Sequence, residues 1–160
     1  MLEWEGYVGY ELLPPALDIP IAGGEVTYAR DAIRAQLERG AYDILQPDAL
    51  ICGGIGEALF YAELARLHGV GVVPHTSGGA LGISAALQLL GVLPDPTRLA
   101  TTDPPLLEIG TGENPLRTHV LADGWQMRNG WVDIPTGPGL GVTVDEQYVR
   151  AQAREQRLVR

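Results

Sequence analysis

With 160 residues, 46% of them hydrophobic and 19% charged, the chain has the size and composition of one globular domain with an aliphatic core, which excludes disordered, collagen-like and coiled-coil classes. Its 11 basic residues, all arginine, face 20 acidic ones for a net charge of -9. Nothing therefore offsets repulsion from a phosphate backbone, so nucleic acid is not an expected partner, and the lack of lysine excludes a Schiff-base, Walker or general-base lysine.

One cysteine, Cys52, rules out an intrachain disulfide or cysteine-rich zinc site and fits a reducing, cytoplasmic setting. No leader pattern opens the chain, and no run reaches the roughly 20 apolar residues that a bilayer span needs, so no membrane partner is expected.

Four times, a short apolar run is followed by a turn and then a longer stretch, the alternation of βα units on a parallel sheet. The first is Ile19-Pro-Ile-Ala-Gly-Gly-Glu25 with a helix from about Arg30 to Arg39, stopped by Gly40. The second is Tyr42-Asp-Ile-Leu-Gln46, a loop through Gly53-Gly54, and a helix from about Gly56 to His68 stopped by Gly69. Ile55, Ala58, Leu59, Ala62 and Ala65 give that helix one apolar face. The third is Val70-Gly-Val-Val-Pro74, a Ser/Gly turn, and an almost wholly apolar helix from Ala80 to about Leu93. The fourth strand is Pro105-Leu-Leu-Glu108, after a Pro/Asp/Thr-rich connection from Pro94 to Pro104. The βα units span 1–117. From Thr118 a tail over 118–160 holds a hairpin turning at Asn129-Gly130, with Trp125 and Trp131 as packing residues, and a short helix capped by Asp145.

Functional groups in parallel α/β folds gather where strands end and βα loops begin. Glu25, Asp48, His75 and Glu108 each stand at such an end. Singly, each reads as a helix cap, a loop hydrogen bond or a structural histidine. Together they suggest chemistry: Asp48 beside His75 is a candidate acid/base dyad, since a carboxylate fixes the imidazole's tautomer and raises its basicity. Glu25 is a candidate hard-oxygen ligand for Mg²⁺. Glu108, if protonated, can donate to a developing oxyanion, and the amides at Gly78-Gly79 can receive an anionic substrate group.

The strings Ile19 to Glu25, Asp43 to Glu57 and His68 to His75, closed by Asn114-Pro-Leu-Arg117 and Pro135-Thr-Gly-Pro-Gly-Leu-Gly141, resemble the C-terminal barrel of the enolase superfamily, in its mandelate racemase and muconate lactonizing branch. The resemblance implies an α/β fold, the C-terminal half of a TIM-type (β/α) barrel. It implies that Glu25 is a metal ligand, that Asp48 and His75 are the dyad, and that Glu108 is an electrophilic acid. It also implies Mg²⁺-assisted removal of the proton α to a carboxylate on a small sugar acid or 2-hydroxy acid. Of the outcomes that follow, acid-sugar dehydration is the one preferred, with racemisation or cycloisomerisation as alternatives. A full barrel takes about 250 residues, and the family's capping domain and first two metal ligands find no counterpart here. Glu3 and Glu5 are not assigned to the metal. The isolated chain is thus expected to be catalytically poor, and three readings stand: a C-terminal portion of a larger enzyme with the family's function only by descent, one half of a barrel completed by a second copy or a complementing N-terminal half, or a scaffold or interaction module that keeps the fold without the site.

Overall fold

The computed structural model, described over residues 9–93, 105–110, 112–124 and 126–154, is built on a small parallel sheet. Strands β1 (Ala22–Gly23), β2 (Ile44–Leu45) and β3 (Gly71–Val72) lie in the order β1-β2-β3, with Ala22 opposite Ile44 and Ile44 opposite Gly71. Helix α1 (Arg30–Glu38) links the first two strands and α2 (Ile55–Leu67) the second and third. Helix α3 (Ala80–Val92) follows β3. These elements match the expected βα alternation, and the helices end where the sequence indicated. Gly40 and Gly69 stand just past the C-caps with φ of 66° and 71°, a left-handed conformation that costs a glycine little.

The core forms between helices and sheet. Ile33 and Leu37 from α1, Leu45 from β2, Ala58, Tyr61 and Ala65 from α2 and Leu89 from α3 pack together. Ile33, Leu45 and Leu89 are fully buried, and each such side chain stabilises the fold by about 1.5–3 kcal/mol. Small residues on the buried stripe of α2 leave room for its neighbours, and Tyr61 joins that stripe where the sequence pattern had only aliphatic residues.

Helix α3 is apolar on nearly every face because most of it is buried, with Leu81 and Val92 near its ends left exposed. Gln88 donates to the carbonyls of Pro135 and Leu140 at 2.7 and 3.2 Å, pinning the proline- and glycine-rich loop onto the helix. Ala80 meets a second cluster with Val120, Leu121, Val142, Val144 and Tyr148. Beyond α3, a short helix α4 (Pro115–Thr118) is capped by Asn114, which accepts from Leu116 N–H at 3.0 Å. The hairpin of β4 (Met127–Arg128) and β5 (Trp131–Val132) turns at Asn129-Gly130, both at positive φ as its tight turn requires. Asp145 caps α5 (Glu146–Gln152) by accepting from Tyr148 N–H.

Two expectations need correction. Residues 105–108 form no ladder with the sheet, so Glu108 does not end a fourth strand. The segment is held by side chains instead: the Glu108 carbonyl, which a ladder would use, is taken by the Thr76 hydroxyl, and the Glu108 carboxyl by Gln46. Trp131 is 65% exposed and so is not a core packing residue. Trp125, Glu3, Glu5 and the connection from Pro94 to Pro104 lie outside the described residues. No helix among the described residues is long and apolar enough to cross a membrane.

Cys52 is buried in the core, and burial pushes its thiol above the ordinary value of 9.0. The unfolded chain therefore loses that proton first. The stability tied to the neutral thiol is full below the ordinary value and is lost as pH rises through the folded one. Because the thiolate is the nucleophile, iodoacetamide at pH 8 is expected to alkylate the native chain at least about tenfold more slowly than the urea-unfolded chain; equal rates would contradict the buried placement.

Candidate functional site

The site grows from the way β2 and β3 continue past their ladder. Val73 N–H donates to the Leu45 carbonyl at 3.0 Å and His75 N–H to the Pro47 carbonyl at 3.2 Å. The two chains thus run side by side until Asp48 and His75 are level. Gln46 N–H meanwhile bonds the Gly23 carbonyl at 2.8 Å, tying the end of β2 to β1.

Asp48 then turns the chain. Its Oδ1 accepts from Leu50 N–H at 2.8 Å, and its backbone carbonyl accepts from the N–H groups of Ile51 and Cys52. Its Oδ2 lies 3.0 Å from His75 Nδ1. An ionised carboxylate can only accept, so Nδ1 donates and the neutral ring keeps Nε2 free as a base. The loop hydrogen bond and the dyad, rival readings of Asp48 in the sequence, coexist because the carboxylate has two oxygens.

On the other side of the ring, Nε2 is 4.0 Å from Glu108 Oε1. Glu108 is anchored twice. Thr76 Oγ1 donates to its backbone carbonyl, and Gln46 Nε2 donates to its Oε2 at 2.6 Å. Side-chain exposure rises outward along this line, from 4% at Asp48 to 19% at His75 and 46% at Glu108. The imidazole is therefore backed by a buried charge and faces a solvent-reachable carboxyl, an arrangement able to accept and return a proton at Nε2.

Asp48, His75 and Glu108 are thus brought together. Glu25 is not brought into contact with them. It lies half-buried past the end of β1, on the same edge of the parallel sheet, and no hydrogen bond or ion pair joins it to the other three among the described residues. No group of three or more His, Cys, Asp and Glu side chains among the described residues could hold a metal ion. One carboxylate does not fix Mg²⁺ in its octahedral shell, so the residues described do not by themselves fit the ion.

Gly78 and Gly79 lead into α3, and packing accounts for both. A Cβ on Gly78 would stand 2.7 Å from the Leu50 side chain, and one on Gly79 would stand 2.9 Å from the Leu116 carbonyl oxygen. Away from the site, Arg30 and Glu57 form an exposed two-bond pair, with the guanidinium 4.3 Å over the Phe60 ring. Hydrogen bonding from Arg30 holds the Glu57 carboxyl below the usual carboxylate range.

Gln46 and Thr76 carry no ionisable group, so strand-end chemistry in the sequence does not mark them. Side-chain alternation was the available signal: Gln46 is two residues before Asp48, which puts both on one side of the extended chain.

The sequence profile of the enolase C-terminal domain-like family matches residues 2–148. The chain is 44% identical over 128 residues to the D-galactarolactone cycloisomerase of Agrobacterium fabrum, covering 79% of this chain and 34% of that protein. It is 30% identical over 132 residues to the arabinonate dehydratase of Saccharolobus solfataricus, covering 82% and 33%. The crystal structure of the 3,6-anhydro-D-galactonate cycloisomerase of Zobellia galactanivorans superposes with a TM-score of 0.80 at 36% identity, covering 93% of this chain and 40% of that one. The chain spans about a third of the length of these curated relatives.

Proposed function

We propose, from the premise that the chain belongs to the enolase superfamily in its mandelate racemase and muconate lactonizing branch, that it carries the proton-transfer face of an acid-sugar dehydratase. The observation that supports this reading is His75, backed by Asp48 at 3.0 Å and facing Glu108 at 4.0 Å. His75 Nε2 takes the proton α to the substrate carboxylate, and the C–H electron pair moves into that carboxylate as an enediolate. The pair then returns to expel the β-hydroxyl, which leaves as water with the proton that His75 held. Asp48 keeps the ring in the tautomer that this needs and stabilises the imidazolium. Glu108, protonated, donates to the oxygen on which charge develops, and the amides beside Gly78 and Gly79 are candidate contacts for an anionic end of the substrate. Magnesium is general in this superfamily, but Glu25 alone does not hold it, and no step here is assigned to a metal.

A second reading is cycloisomerisation, favoured by the 44% identity to a lactone cycloisomerase. The same base takes the same proton, and a ring oxygen leaves in place of the hydroxyl. Both readings expect an assembly, as a second copy or a complementing N-terminal half, because β1 and β3 are sheet edges among the described residues and Leu17, Ile19 and Leu106 stand exposed.

Two measurements test this. Sedimentation is expected to give a concentration-dependent dimer or larger species, and a fixed 17.1 kDa monomer would count against self-assembly. For the chemistry, the matched segment replaces its counterpart in the Agrobacterium fabrum cycloisomerase, and α-proton exchange on acid sugars and their lactones is followed by NMR in D₂O. The chain alone is expected to exchange nothing and the chimera to exchange. His75→Asn should then lower the rate by about 10²–10⁴ and Asp48→Asn should leave a weakened remnant. Full turnover in His75→Asn sinks the dyad, and a folded but inert chimera favours a scaffold that keeps the fold without the site.

A further inference from the structure

Glu108 is fastened at two places, and the two bonds do different work. The Thr76 hydroxyl, donating to the backbone carbonyl of Glu108, already ties the segment at 105–110 to the chain beyond β3. The bond from Gln46 Nε2 to Glu108 Oε2, at 2.6 Å, acts on the carboxyl group itself. With Oε2 turned toward β2, Oε1 is the oxygen that faces His75 Nε2 at 4.0 Å. The donor is itself fixed, since the Gln46 backbone N–H bonds the Gly23 carbonyl. A side-chain amide nitrogen has hydrogens to give and none it can receive. The carbonyl oxygen of a protonated carboxyl is the stronger acceptor and its hydroxyl oxygen the weaker one, so this bond favours Oε2 as the carbonyl oxygen and the proton on Oε1.

We propose that Gln46 is a positioning residue of the site: by holding Oε2 of Glu108, it turns Oε1 toward His75 and favours that oxygen for the carboxyl proton. The inference rests on the reading of Glu108 as the group opposite His75 in the proposed reaction. It extends the line of side chains to Asp48, His75, Glu108 and Gln46, with Gln46 acting on substrate only through Glu108. Gln46→Leu leaves Oε2 without its donor, free to rotate toward solvent or toward His75, so either oxygen can then carry the proton.

The ionisable groups facing His75 among the described residues are Asp48 from the β2 side and Glu108 from the segment at 105–110. Cys52, beyond Asp48, is a neutral thiol throughout the acid range, and its burial only pushes it further up. An acid titration of the isotope-labelled chain, followed at the His75 Cε1–H resonance by NMR, reports the ring, Asp48 and Glu108 together, and the comparison with Glu108→Gln isolates the part that belongs to Glu108. The wild type is expected to show an acid-side step that Glu108→Gln removes. Gln46→Leu should shrink that step to below about half while the backbone amide spectrum stays in place, because a carboxyl no longer aimed at the ring perturbs it less.

A wild-type titration without the Glu108-dependent step, or a full-sized step in Gln46→Leu, overturns the proposal. Should Gln46→Leu disturb the amide spectrum, Gln46→Glu serves instead. It shares a proton with Glu108 in acid and repels it once both ionise, so the His75 resonance should match wild type in acid and depart from it at neutral pH. A resonance indifferent to that substitution throughout overturns the proposal as well. Nothing is turned over in this experiment, so its failure leaves the proposed reaction standing, and an inert chimera leaves this result standing.

Discussion

Asp48 is a carboxylate with 3% of its surface exposed, and a charge taken that far from water is tolerated only when its oxygens are answered by donors. The rest of the site follows from how that demand is met. One oxygen takes the Leu50 N–H, which bends the chain out of β2 and into the loop before α2. The other takes His75 Nδ1, which fixes the ring and points Nε2 outward. A single buried charge thus shapes a turn and orients a base. Removing the carboxylate would strand the Leu50 amide and free the imidazole together.

That arrangement needs two chain segments kept level, and strands of two residues do not supply much rigidity alone. The helices provide it. Leu45 sits between α1, α2 and α3 in the main cluster, so the strand that leads to Asp48 is clamped from the core side. Helix α3, after His75, is held in turn by the tail, through Gln88 and the cluster around Ala80, Val120 and Leu121. The closeness of that packing appears at Gly79, where a Cβ would press on the Leu116 backbone. The tail therefore steadies the segment carrying His75 without supplying a reacting group.

Much of this was legible in the sequence because it depends on local chemistry. Gly40, Gly69 and Asp145 announce helix ends by conformational freedom or side-chain acceptance, and Asn129-Gly130 announces its turn. Asp48 and His75 were legible as a pair because parallel strands deliver their ends to one edge. The rest depended on contacts between segments distant in the chain. The fourth strand forms no ladder, because its segment is fastened by the side chains of Thr76 and Gln46 rather than by backbone pairing. Trp131 looked like core and is exposed, since hairpin alternation does not say whether either face is covered. Gln46 meets Glu108 across 62 residues, and an uncharged amide carries no sequence signal of that partnership. Glu25 shows the converse: a plausible ligand by position, it stands without companion ligands among the described residues, because a metal site is a property of several segments at once.

All of this requires that Asp48 hold His75 with its hydrogen on Nδ1 and its basic nitrogen outward. Two-bond ¹H–¹⁵N correlation spectra of the His75 ring, recorded where the ring is neutral, read that tautomer. A protonated Nδ1 and a bare Nε2 are expected, with loss of that preference in Asp48→Asn. A neutral ring carrying its hydrogen on Nε2, or a tautomer unchanged in Asp48→Asn, would contradict it.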